Sequence, residues 1–336
     1  MTAPVTAERL LDVSGLTIEI DSRRGPATIV DGINLHVDKG ETVGVVGESG
    51  CGKSLTMLSL VRLLPNKIKV KSGTANFAGR DLLKMSKSDL RQVRGGKIGF
   101  VFQDPMTSLN PVMRIGDQLA EPLIYHRDMS RADAKKRAVE LLRLVGIPGP
   151  EQRIDAYPHE LSGGMRQRVM IAIGLACDPE LLIADEPTTA LDVTIQAQIV
   201  DLVKELRQKL GMSVVWITHD LALIAGLVDR VAVLYAGTVV EDAPVGELFA
   251  NPSHPYTRGL LASIPKLSDT RTNRLSSIGG TPPEPGRRPK GCPFAPRCPL
   301  VESICHEKVP ALEPLGKGDA RHRVACWVAQ RQLEAA

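Results

Sequence analysis

TVGVVGESGCGKSLTMLSL, Thr42–Leu60, is the stretch that decides the fold. An apolar, β-prone run enters a glycine-rich loop, and the loop enters a stretch with helical character. Within it, GESGCGKS (Gly47–Ser54) matches the pattern G-x-x-x-x-G-K-[ST] in the strand-to-helix context that pattern requires. Glycines let backbone N–H groups curl round phosphate oxygens. Lys53 can reach the β- and γ-phosphates, the Ser54 hydroxyl can ligate Mg²⁺, and the helix N-terminus adds the positive end of its dipole. Cys51 occupies a variable position, where it reads as a small residue or as a redox-sensitive thiol at a helix start.

Outward from this loop the chain alternates. Residues 1–46 carry short β-like runs such as LTIEI. The helix after the loop is expected to stop at Pro65. KIGFVFQD reads as a strand and residues 112–146 as helical, with Ser130 as N-cap and Gly146 as C-cap. A helix over about 163–177 follows, then the strand LLIAD, a helix over about 192–210 and the strand SVVWIT. Strands alternating with helices predict an α/β fold with a parallel sheet covered on both faces. A helical insert over about 108–177 interrupts that order.

Leu181–Ala184 form an apolar strand ending in Asp185 and Glu186. Carboxylates at the carboxyl end of a parallel strand lie beside the nucleotide crevice of such sheets. Asp185 suits a Mg²⁺ shell, and Glu186 can polarise an attacking water. LSGGMRQR (Leu161–Arg168) places two glycines at a helix start, a second phosphate site.

Together these residues resemble the ATPases of ABC systems. LSGGMRQR is similar to their signature, Gln103 in FVFQDP to the Q-loop, TTALD (Thr188–Asp192) to the D-loop and His219 in WITHD to the switch histidine. The resemblance covers residues 10 to about 245. It implies a P-loop NTPase (RecA-like) core with an N-terminal antiparallel β subdomain and an inserted helical subdomain. It implies ATP binding by Gly47, Glu48, Ser49, Gly50, Cys51, Gly52, Lys53, Ser54 and Leu55, with Gln103 and Asp185, and Mg²⁺ held through Ser54, Gln103 and Asp185. Glu186 and His219 take the catalytic roles. Ser162, Gly163 and Gly164 act on the ATP of a partner ATPase, with Asp192 in the D-loop. Met165 stands where the common signature has Gln. No aromatic precedes Phe77 to stack on adenine, so Arg23, Arg24 or an aliphatic neighbour takes that place.

Two further stretches narrow the group. Phe102–Leu123 and NPSHPYTRGLLASIP (Asn251–Pro265) resemble segments of oligopeptide and dipeptide importer ATPases, whose signature also carries Met. That resemblance implies ATP-driven peptide import. It implies as partners a second ATPase (a paralogue), two membrane permeases and an extracytoplasmic solute-binding protein, and no nucleic acid. Residues 103–118 would meet the permeases. Nickel or other small-solute importers share much of the pattern. DNA-repair ATPases of this type flank a long coiled coil, and none is present here; translation ATPases usually hold two ATPase domains in one chain, and this chain has one; a cluster-assembly ATPase would lack the extension.

The chain has 336 residues, a hydrophobic fraction of 43% and only 3% aromatics, so its core must rest on Ala, Val, Ile and Leu. No apolar run approaches the ~18 residues of a membrane span, and the N-terminus lacks a signal-peptide pattern. The expected location is the cytoplasmic face of the cell membrane, peripherally. Net charge is +4, and residues 286–336 carry nine Lys or Arg against five Asp or Glu. That tail reads as a solvated basic face or one meeting anionic lipid or an acidic partner.

Thirteen of the 24 prolines fall between Pro244 and Pro314, which predicts that residues 246–336 form a loop-rich extension rather than more sheet. It holds Cys292, Cys298, Cys305 and Cys326 in the spacing C-x5-C-x6-C-x20-C. Four readings stand: disulfides, disfavoured in the cytosol; zinc, though no C-x2–4-C pair is present; an iron–sulfur cluster, with Cys292 and Cys298 each followed by proline; or four unrelated thiols. Importer relatives with this extension imply a 4Fe–4S cluster, expected here as a structural staple. His306 and His322 read as solvated.

Overall fold

In the computed structural model, residues 8–22, 25–189, 191–264, 277–315 and 321–334 are described. The chain forms two compact units, each discontinuous in sequence: residue 8 with 38–42 and 84–217, and 9–37 with 43–83 and 218–334.

The first unit contains the parallel strands Ile98–Val101, Leu181–Asp185 and Ser213–Thr218, side by side in that order. Leu181, Leu182 and Ile183 are fully buried, the pattern of a strand covered on both faces. Here lies the helical insert. The stretch 112–146 is two helices rather than one, Ile115–Arg127 and Arg131–Leu144, because Asp128 turns left-handed at φ 52°. Ser130 caps the second as expected, its Oγ accepting from the Asp133 N–H at 3.2 Å, and Gly146 at φ 73° lies just past its end. The helices Gly163–Leu175 and Val193–Leu210 complete the unit.

The second unit holds a four-stranded sheet in the order Gly25–Asp38, Arg9–Ser22, Ile68–Phe77, Arg80–Asp81, the last three antiparallel. It also holds Val43–Val46 lying parallel beside Arg230–Val233. Thr238–Pro244 pairs antiparallel with Arg230–Tyr235. The helix after the glycine loop, Lys53–Leu60, ends well before Pro65, at a turn with Arg62 at φ 51°.

The extension departs from expectation by contributing sheet. Arg323–Val324 pairs antiparallel with Glu241 and Asp242, and Glu313–Pro314 pairs outside it. Proline is tolerated there because an edge strand need not donate on both sides. The aliphatic core is as composition predicts, with most of the few buried aromatics gathered in one place. Tyr235, Tyr256 and Phe294 have ring centroids 4.6 Å, 5.2 Å and 5.5 Å apart.

Candidate functional site

The phosphate loop lies in the second unit. Val43, Val45 and Val46 are fully buried and aim the chain into Gly47. A Cβ at Gly47 would lie 2.2 Å from the Leu234 carbonyl oxygen, so only glycine fits where the strand gives way to the loop. Ser49 and Gly50 are exposed, while Cys51, Gly52 and Lys53 are buried. Lys53 Nζ donates to the carbonyls of Gly47 at 2.8 Å and Glu48 at 3.1 Å, so its ammonium sits inside the curl of the loop. Ser54 and Leu55, half-buried, open the helix Lys53–Leu60. Burial pushes the Cys51 thiol up, against the pull of Lys53. That direction is opposite to the lowering that activates a redox-sensitive thiol.

His219, also of this unit, is exposed just after the strand Ser213–Thr218. Arg23 and Arg24 lie outside the described residues.

The acids and the signature lie in the first unit. Asp185 is buried at the end of its strand, and Glu186 follows at φ 44°. That left-handed backbone costs a non-glycine residue on the order of 1 kcal/mol or more and is typical of functional turns. It aims the Glu186 carboxylate at Gln103, whose Nε2 donates to Oε2 at 3.2 Å, and at Thr189, whose Oγ1 donates to the same oxygen at 2.9 Å. The structure thus brings together Gln103 and Glu186, which lie 83 residues apart. Ser162 caps the helix Gly163–Leu175, its Oγ accepting from the Met165 N–H at 3.3 Å. Ser162 and Gly163 are exposed, and Gly164 stands against Ile195. Asp192 caps Val193–Leu210 by accepting from the Ile195 N–H at 3.0 Å. Met165, where the common signature has Gln, leaves Ser162, Gly163 and Gly164 in place.

The extension is anchored by buried charge in the second unit. Glu241 and Asp242 are fully buried. The Glu241 carboxylate accepts from the N–H groups of Ser253 at 2.7 Å and His254 at 2.9 Å, and pairs with His322 Nε2 at 2.8 Å. Asp242 pairs with Arg230 at 2.8 Å and with Arg323. His322 is therefore not solvated. HPYT opens a helix: His254 Nδ1 accepts from the Tyr256 N–H at 3.1 Å, capping Pro255–Ala262, and both rings are buried. Burial pulls His254 down to about 4.

All six cysteines are free thiols, which removes the disulfide reading. Cys292, Cys305 and Cys326 are buried and Cys298 is half-buried. Burial pushes Cys292 up to about 11, and the negative charge of Cys305, Cys326 and Cys298 adds to it, so the four sulfurs lie within electrostatic reach of one another. Among the described residues no group of three or more His, Cys, Asp or Glu is arranged to hold a metal ion. The zinc and iron–sulfur expectations gain no support from that grouping.

Sequence reasoning missed Arg297 and Tyr256. Arg297 forms a two-pronged ion pair with Glu48 of the phosphate loop, Nη1–Oε2 2.7 Å and Nη2–Oε1 2.9 Å, and Tyr256 Oη accepts from the Glu48 N–H at 2.9 Å. Glu48 and the Tyr235 hydroxyl raise the Arg297 pKa further. At separations of 249 and 208 residues, no local pattern marks these contacts.

The ABC transporter family matches residues 30–189, and the oligopeptide/dipeptide transporter C-terminal region matches residues 240–305. A probable peptide ABC transporter ATP-binding protein of Sinorhizobium fredii is 51% identical over 322 residues, covering 96% of this chain and 95% of its own length. The oligopeptide transport ATP-binding protein OppD of Bacillus subtilis is 50% identical over 325 residues, covering 96% and 90%. The dipeptide transport protein DppD of the same organism is 47% identical over 328 residues, covering 97% of each. Among solved structures, the ATP-binding cassette MJ0796, a dimer in a post-hydrolysis state with ADP and Pi, matches with a TM-score of 0.63 at 30% identity, over 70% of this chain and 98% of its own. Two family models and relatives matched over nearly their whole length thus agree: the chain belongs to the ABC transporter ATPases, in the group that carries the oligopeptide/dipeptide transporter C-terminal region.

Proposed function

We propose that this chain is the ATP-hydrolysing subunit of a peptide importer. The observation that carries the reading is the union, in one chain, of a nucleotide-binding cassette with the peptide-transporter C-terminal region, matched over nearly the whole length of relatives named for peptide transport.

Gly47–Leu55 hold the phosphates of ATP through loop N–H groups and Lys53. Ser54, Gln103 and Asp185 offer only oxygen donors, which fit Mg²⁺. The Glu186 carboxylate takes a proton from the attacking water, and His219 faces the γ-phosphate. Attack is in line, and positioning with charge stabilisation supplies most of the rate. Ser162, Gly163 and Gly164 serve the ATP of a second ATPase subunit, a paralogue, with Asp192 at that contact; their exposure at a helix start supports this. Two permeases and a solute-binding protein complete the assembly at the cytoplasmic face of the membrane. In keeping with a docked subunit, no helix among the described residues is long and apolar enough to cross it.

The four cysteines are proposed to hold a 4Fe–4S cluster. Supporting this are four free cysteines, of which Cys292 and Cys298 are each followed by proline, a step that recurs in ferredoxin motifs. The cluster supplies folding free energy to a segment with little apolar core. Anaerobic purification should give a brown protein with about four iron atoms per chain, as that stoichiometry requires. A colourless protein with stoichiometric zinc would contradict it.

The intact complex tests the main reading. Purification through a tag on this chain should recover two permeases and a second ATPase. Recovery of DNA or ribosomes, and never permeases, would overturn it.

A further inference from the structure

Glu48 is gripped at both of its polar ends by the C-terminal segment. Its main-chain N–H donates to the Tyr256 hydroxyl, and its carboxylate lies in the fork of Arg297. The Arg297 side chain is 4% exposed, and its three nitrogens, which together carry five N–H donors, are all engaged. Nε donates to the Gly279 carbonyl at 2.8 Å, Nη1 to Glu48 and to the Tyr235 hydroxyl at 3.2 Å, and Nη2 to Glu48 and to the Ile278 carbonyl at 3.3 Å. The guanidinium also faces the rings of Tyr235 and Phe294, 5.6 Å and 5.9 Å from their centroids. A group this fully satisfied has one preferred position. That position is fixed by the turn Ala295–Arg297, which lies between Cys292 and Cys298.

We infer that Arg297 is a positioning residue for nucleotide binding: through Glu48 the cysteine-bearing segment sets the shape of the phosphate loop. Glu48 is the second residue of that loop, and its carbonyl accepts from Lys53. A shift of Glu48 therefore moves both the turn that starts the phosphate cradle and the ammonium inside it. Arg297 touches no phosphate itself and acts through Glu48. The order of the cysteine segment is thereby felt as affinity for ATP.

The inference rests on reading Gly47–Ser54 as the phosphate loop, so the test carries a control for that reading. Equilibrium binding of mant-ATP with Mg²⁺ is measured on the full-length chain and its variants, alongside melting temperature. R297Q and E48Q should each weaken binding about five- to tenfold, and the double variant should be no weaker than either, the signature of one shared interaction. R297K should not restore affinity, because an ammonium cannot form the two-pronged pair. Y256F removes only the hydroxyl and should weaken binding in the same direction, which keeps the test open if R297Q does not fold. Unchanged affinity in folded R297Q or Y256F, or a lowered melting temperature alone, overturns the inference, as do additive effects of R297Q and E48Q. Retained binding by K53A would instead overturn the reading of the loop.

Discussion

Glu186 is held by its own backbone. Its N–H donates to the Ile217 carbonyl at 3.0 Å, its φ is 44°, and one carboxylate oxygen accepts from both Gln103 and Thr189. Glu186, the base proposed above, would then lose its function without losing its place when it becomes an amide. Glu186→Gln is expected to bind ATP normally and to lower phosphate release by about 10²–10⁴-fold, the range a positioned base supplies. Persisting turnover would assign the productive base elsewhere. At this scale the sequence offered candidates wherever chemistry imposes a spacing. Gly47–Ser54, Asp185 with Glu186, and Ser162–Gly164 are contiguous runs. Arg297 was not legible, because a cation that braces a loop 249 residues away leaves no local pattern.

At the scale of elements, the strand Thr238–Pro244 holds the extension through two consecutive buried acids. Asp242→Ala leaves the guanidinium of Arg230, with its side chain 7% exposed, without that counter-charge. The expected loss is about 3–5 kcal/mol, read as a lower urea midpoint at unchanged slope. A change below about 1 kcal/mol, the value of a surface pair, would refute the anchoring role.

The helix Pro255–Ala262 carries a pH signature. Burial pulls the His254 ring down to about 4, Arg258 adds to the pull and Glu241 opposes it. The unfolded chain binds a proton near pH 6.5, the folded one near 4, so unfolding is favoured as pH falls between the two. Stability from the neutral ring is complete above pH 6.5, and on the order of 3 kcal/mol is lost by pH 4. His254→Asn keeps an acceptor for the Tyr256 N–H but cannot titrate. Wild type should lose more stability than the variant between pH 7 and pH 4.5, as read by urea unfolding. Parallel profiles would exclude His254 as the source. The proline content of residues 246–336 suggested a loop there. The entry to the helix is held by Glu241, which accepts from the Ser253 and His254 N–H groups, comes earlier in the chain and looks like an ordinary strand acid.

Across the whole molecule the sequence pattern gave the alternation of strands and helices, the insert and the aliphatic core, because burial on both faces leaves uninterrupted runs such as LLIAD and SVVWIT. The use of the basic tail was not visible. Arg288 pairs with Asp31 at 3.1 Å, Arg297 with Glu48, and Arg323 with Asp242, so three of its nine cations brace the fold rather than facing lipid or solvent. Charge counts cannot separate the two, because each acid partner lies in a distant stretch.

The central claim is that ATP hydrolysis by this chain drives peptide import, and transport itself tests it most directly. The chain is reconstituted with its co-purifying permeases and second ATPase in proteoliposomes, and uptake of a labelled peptide is followed with the solute-binding protein present. The account predicts uptake that requires ATP and Mg²⁺ and is lost with Glu186→Gln in this subunit. Peptide uptake that proceeds unchanged with Glu186→Gln, or ATP hydrolysis that moves no peptide under any of these conditions, would contradict it.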